Sequence, residues 1–198
     1  MKLLTFALLS LLIALPAVSR AQSYVFGYGG FDSGLATDFT EINSLSLDFE
    51  NGVLYGAGLG RVSSLIGGSR FEFEGLRSHS DLESAALNGM TINGIGGEMT
   101  VTAGMFNFLK QFPLMGTMTY LGGGIGYSQV ETEFGATSNS SDAVAYQVIV
   151  GAELPLGQKF QLFTQYKFLG IGETDFGAAG NMDGFTSHNF IVGLKYCF

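Results

Sequence analysis

The stretch from Asn189 to Phe198 constrains the fold more than any other. Phe190, Val192, Leu194, Tyr196 and Phe198 share one parity, and Asn189, Ile191, Gly193, Lys195 and Cys197 share the other. A period of two is that of a β-strand and puts the two sets on opposite faces. One face is wholly apolar and aromatic, while its opposite carries a lysine and an asparagine. Such a strand needs an apolar medium on one side and polar company on the other.

The same alternation recurs upstream. Val144, Tyr146, Val148, Val150, Ala152 and Leu154 alternate with Ala145, Gln147, Ile149, Gly151 and Glu153. Phe160, Leu162, Tyr166 and Phe168 alternate with Gln161, Phe163, Gln165 and Lys167. Phe71 and Phe73 stand against Arg70, Glu72 and Glu74, and Val53, Tyr55, Ala57 and Leu59 against Leu54, Gly56, Gly58 and Gly60. These patterns predict eight strands, at about 23–32, 52–62, 69–78, 97–108, 117–131, 143–154, 160–171 and 187–198. Long connections at about 33–51, 79–96, 132–142 and 172–186 alternate with short ones at about 63–68, 109–116 and 155–159. The short set carries turn residues: Gly67-Gly68, Pro113, and Pro155 with Gly157.

Composition narrows the classes further. Glycine makes up 30 of the 198 residues, and 46% of the chain is hydrophobic against 13% charged. Disorder needs the reverse balance, and three prolines without a glycine period exclude collagen. A single cysteine makes no internal disulfide, and no Cys/His spacing fits zinc. Met1-Lys2, the apolar run Leu3–Leu15, Pro16 and Ser19-Arg20-Ala21 form a secretory signal pattern with cleavage between Ala21 and Gln22. The domain organisation expected is therefore a signal peptide at 1–21 and one domain at 22–198. Cleavage removes Lys2 and Arg20, leaving seven basic residues against 17 acidic ones and a net charge of −10. That charge argues against nucleic acid as a partner.

After residue 22 no apolar run is long enough for a spanning helix, which needs about 20 residues. Hydrocarbon leaves backbone N–H and C=O groups unsatisfied, so strands that cross it must close into a barrel. The fold class expected is all-β: an eight-stranded antiparallel up-and-down transmembrane barrel. Its interior is just wide enough for side chains, which gives Gly56, Gly58, Gly60, Gly122, Gly124 and Gly126 a common role as small inward residues.

The residues support a family comparison. The chain resembles the small eight-stranded outer-membrane β-barrel proteins, the porin-family or opacity-like surface antigens, related in form to the OmpA transmembrane domain. Three stretches carry the likeness: Tyr120-Leu121-Gly122-Gly123-Gly124-Ile125-Gly126-Tyr127, then Ala145-Tyr146-Gln147 followed by Gly151, then Ser187-His188 through Phe198. The last is similar to the family's C-terminal assembly signal, with Gly193, Tyr196 and Phe198 in its defining positions and Ile191 where a polar residue is more usual. The resemblance implies location in the bacterial outer membrane and recognition by the barrel-assembly machinery. Outer-membrane lipids and lipopolysaccharide are the partners it implies.

Arg70, Glu72, Glu74, Glu98, Gln147, Glu153, Gln165, Lys167 and Lys195 are expected to form a polar network inside the lumen. Charges in so narrow a space are paired or wet. They either plug the barrel or line a small pore, and parity leaves both open. No cofactor or metal is expected. Ser78-His79-Ser80 with Glu83 contains the residue types of an outer-face lipid hydrolase, but adjacent strand residues face opposite ways, so His79 and Ser80 do not share a face. His188 has Phe190 where a serine would be needed. Cys197 reads as a small filler. The acids Asp32, Asp38, Glu41, Asp48 and Glu50 precede Arg61 with no intervening base, so the expected surface loops are acidic. Plain solvation accounts for them, as does bridging to anionic lipopolysaccharide by divalent cations. The reading is a non-enzymatic membrane barrel with envelope-structural and surface-interaction roles through four long loops, with a pore as the alternative. A soluble calyx would need the apolar parity to face inward.

Overall fold

The computed structural model describes residues 22–39, 45–49, 52–63, 66–87, 90–93, 97–114, 117–134, 137–175, 181–182 and 184–198. Ala21, and with it the expected cleavage bond, lies outside the described residues. The elements are β1 (Ser23–Phe39), β2 (Leu45–Phe49), β3 (Gly52–Ser63), β4 (Ser69–Leu87), β5 (Met90–Asn93), β6 (Gly97–Leu114), β7 (Thr117–Phe134), β8 (Thr137–Pro155), β9 (Phe160–Ile171), β10 (Thr174–Asp175), β11 (Asn181–Met182) and β12 (Phe185–Cys197). β1, β3, β4, β6, β7, β8, β9 and β12 are the eight staves, each antiparallel to the next, and β12 pairs with β1 to close the barrel. β2 pairs with the top of β1 and with β4, while β5 pairs with β4; both extend the wall upward.

Cross-strand partners followed once round the wall give the stagger. Ser23 leads through Arg61, Phe71, Phe108, Gly123, Val148, Phe168 and His188 back to β1 at Ser33, ten residues above the start. Eight strands with that stagger tilt by about 40°. The lumen is then about one layer of side chains wide, and large residues fit only where small ones face them. β1 and β3 meet this condition by alternation. Tyr24, Phe26 and Tyr28 pair with Gly60, Gly58 and Gly56, and a Cβ at each glycine would lie within 2.5 Å of its partner's ring. Leu109, Asn107 and Met105 face Gly122, Gly124 and Gly126 in the same way.

This packing gives a direct test. A Cβ at Gly124 would sit 1.9 Å from Asn107 Oδ1 and 2.8 Å from the Phe106 carbonyl, whereas at Gly104 on the outer wall it meets nothing within 4 Å. Gly124→Ala is expected to cost about 1–3 kcal/mol through overpacking, and Gly104→Ala less than about 0.5 kcal/mol. Urea unfolding of the refolded protein in lipid vesicles separates the two.

The short connections and both described ends share one rim. Gly67 and Gly68 adopt φ of 55° and 74° in the turn between β3 and β4, a conformation that favours glycine. Lys110 donates to the Gly67 carbonyl at 2.5 Å across that turn. At the opposite rim the strands run further than alternation alone predicts. β1 continues to Phe39 and β4 to Leu87, and β7 and β8 extend through most of the expected 132–142 loop. The expected short connection at 109–116 is likewise mostly strand. Backbone pairing continues past the membrane because antiparallel partners satisfy N–H and C=O groups wherever they lie.

Candidate functional site: the barrel wall and its lumen

Outward positions form a continuous apolar belt. Val25, Phe73, Phe106, Phe108, Leu121, Ile125, Val148, Val150, Leu162, Val192 and Leu194 are all exposed. A water-soluble calyx reverses this arrangement, and so large an apolar surface is stable only against lipid. Tyr196 and Phe198 stack on the rim that carries the short turns, 6.3 Å apart, with Lys159 5.9 Å from the Tyr196 ring. Gly193, the first residue of the expected assembly signal, faces inward; a Cβ there would meet the Phe163 ring at 2.3 Å.

Inside, β4 supplies Arg70, Glu72 and Glu74 from successive inward positions, and the opposite staves supply their partners. Glu74 is the hub of one group. Its Oε1 is paired with the Lys167 ammonium and accepts from the Tyr28 hydroxyl, while its Oε2 accepts from Asn107 at 2.8 Å and Gln147 at 2.9 Å. Glu153 is the hub of the second group, paired with both Arg70 and Lys195. Arg70 Nε lies 3.1 Å from Glu72, which also accepts from the Tyr24 hydroxyl at 2.6 Å. The guanidinium sits 4.1 Å from the centre of the Tyr120 ring, and the Lys195 ammonium 4.3 Å from that of Tyr24. Gln165 is half-buried and accepts from the Tyr120 hydroxyl at 3.0 Å.

Phe26 and Phe163 meet edge to face at 6.2 Å beside these groups. The void bounded by Phe26, Arg70, Glu72, Tyr120, Phe163, Gln165 and Lys195 measures about 10 Å³, space for a single water. Further up, Leu54, Leu76, Met99, Val101, Val130, Leu169 and Ile171 fill the lumen with apolar side chains.

Glu98 departs from the expected set. It is exposed and lies on the outer wall, because its parity on β6 is that of Phe106 and Phe108 rather than that of Asn107. There it stands opposite Asp81 on β4 and Glu133 on β7. His79, Asp81 and Glu98 bring their ligand atoms within 4.8 Å of one another, all exposed. His79 Nδ1 lies 3.1 Å from Thr100 Oγ1, while Ser78 and Ser80 point into the lumen, so neither flanking serine shares the histidine's face. His188 on the outer wall contacts the Tyr166 hydroxyl at 2.6 Å. The Glu83 side chain lies outside the described residues. Cys197 is a free, buried thiol of lumen parity.

Tyr24, Tyr28, Asn107, Tyr120 and Asp32 belong to the interior but were not expected there. Tyr24 and Tyr28 alternate with Val25, Gly27 and Gly29, and Tyr120 stands beside Leu121, patterns that alone do not say which face is wet. Asn107 could have been found, since it sits between the outward Phe106 and Phe108.

No family model matches the sequence, and no curated protein matches it. Among solved structures, the barrel is similar to neisserial surface protein A, with a TM-score of 0.62 at 14% identity over 91% of this chain and 100% of that one. It is also similar to Ail, the attachment invasion locus protein of Yersinia pestis, solved with the heparin analogue sucrose octasulfate. Here the TM-score is 0.51, again at 14% identity over 91% of this chain and 100% of that one. The fold is that of the small outer-membrane β-barrels. That fold and the apolar outer wall place this barrel in the bacterial outer membrane.

Proposed function

We propose that this outer-membrane barrel is a non-enzymatic, sealed structural element of the envelope that presents its extracellular hairpins as an interaction surface. The observation that carries this reading is the filled lumen. Two charge-balanced groups, the Phe26–Phe163 contact and an apolar upper section leave about 10 Å³ around Arg70 and Lys195. A water-filled path needs continuous room, and buried ion pairs held by several hydrogen bonds resist displacement. Planar-bilayer recording of the purified barrel is expected to show no unitary conductance. Reproducible single-channel steps would instead establish the small-pore reading.

The partners follow from the two rims and the belt. Lipid acyl chains cover the belt, and the end strand that carries Gly193, Tyr196 and Phe198 is what the assembly machinery recognises, with the Tyr196 and Phe198 rings on its outer face. Asp81, Glu98 and Glu133 form a row of directly opposed carboxylates on the outer wall. Like charges so placed repel, and divalent cations shared with lipopolysaccharide phosphates would relieve that repulsion. Co-purification of lipopolysaccharide is expected to fall on chelation, and unchanged co-purification would remove this partner.

A further inference from the structure

The described residues bury seven charged side chains. Six of them balance: Glu72, Glu74 and Glu153 against Arg70, Lys167 and Lys195. Asp32 is the seventh. It is 1% exposed, and among the described residues no lysine or arginine pairs with it. Its Oδ2 accepts from Ser78 at 3.2 Å, while its Oδ1 has no partner. An isolated carboxyl in such a place is held either by keeping its proton or by a positive charge brought to it.

The neighbours of Asp32 are oxygen donors. Asn189 stands directly opposite on β12 and is 0% exposed. Its amide nitrogen is committed to Ser187 Oγ at 2.9 Å and to the Lys167 carbonyl at 3.2 Å, and its Oδ1 has no partner. On the other side Asp32 pairs with Gly52 on β3. A Cβ at Gly52 would come within 2.1 Å of Ser80 Oγ, so this glycine opens the gap into which Ser80 reaches from β4. Ser80 Oγ is buried without a partner as well. A carboxylate, an amide carbonyl and a hydroxyl thus occupy neighbouring lumen positions across β1, β4 and β12. The donor set is all oxygen, with one net negative charge, which is the chemistry of a hard cation.

We propose that Asp32, Asn189 and Ser80 bind one hard cation inside the lumen toward the extracellular rim, with calcium as the probe. The ion neutralises Asp32 and ties β1 to β4 and β12. This site is separate from the outer-wall carboxylates, and it stands whether or not the barrel conducts.

The test uses the mature chain refolded in detergent micelles, with thermal unfolding midpoints measured against calcium concentration. Wild type is expected to gain stability with a dissociation constant of about 10⁻⁴–10⁻³ M, as in extracellular oxygen-ligated modules. Asp32→Asn should lose the response. Ser80→Ala should shift the midpoint concentration upward by roughly tenfold or more. The double variant Asp81→Asn/Glu98→Gln removes any outer-wall contribution and should keep a calcium response that adding Asp32→Asn abolishes, which separates the lumen from the outer wall. Equal responses in wild type and Asp32→Asn would overturn the proposal, as would no response in wild type, which would leave a proton on Asp32 and ordered water as the partners of these oxygens. Should Asp32→Asn fail to refold, Ser80→Ala decides by the same tenfold criterion, because it removes one hydroxyl alone.

Discussion

Glu74→Ala is expected to destabilise the barrel by about 3–5 kcal/mol, the cost of leaving a buried charge without its partner. Lys167 is 0% exposed and has Glu74 as its ion-pair partner among the described residues. Removal of the carboxylate also strips Asn107 and the Tyr28 hydroxyl of their acceptor and leaves Gln147 with Asn107 Oδ1 alone. The loss should be largely reversed in Glu74→Ala/Lys167→Met, because an apolar replacement for both members removes the desolvation penalty along with the attraction. Urea unfolding in vesicles measures both variants. A cost below about 1 kcal/mol for the single change would show that water reaches Lys167, and with it that the lumen is open.

Val148→Arg is the second large effect, and it tests the outer wall as the first tests the lumen. Val148 is half-exposed in the middle of the outward run Val144, Tyr146, Val148 and Val150. An arginine at the bilayer midplane of a barrel costs about 2–4 kcal/mol, falling to about 0–1 kcal/mol near the interface. The expected comparison is therefore Val148→Arg against Gln129→Arg, the latter at an exposed polar position higher on β7. Vesicle unfolding should separate the two by at least about 2 kcal/mol. Equal costs would mean that the belt does not sit in hydrocarbon where its composition places it.

Alternation made most of the wall legible. Phe190 to Phe198 and Val144 to Val150 fall outward, and Arg70, Glu72, Glu74 and Lys167 inward, because a strand offers two faces and the solvents on either side differ completely. Glu98 shows where that reading slipped. A charge suggests the lumen, yet parity with Phe106 puts Glu98 on the outer wall, above the apolar belt where water returns. Strand ends are less legible, since polar residues above the membrane look like loop while their backbones remain paired.

What the sequence determined by itself is the two-faced strand, its repetition eight times and the small residues that make a narrow barrel possible. These are local properties, set by a period of two and by the absence of a Cβ. Only the tertiary structure decided which charges meet. Glu74 and Lys167 are far apart in the chain, and Asp32, Ser80 and Asn189 come from three different strands. Their meeting depends on the ten-residue stagger of the closed wall, a sum over every pairing in the barrel that no single strand encodes.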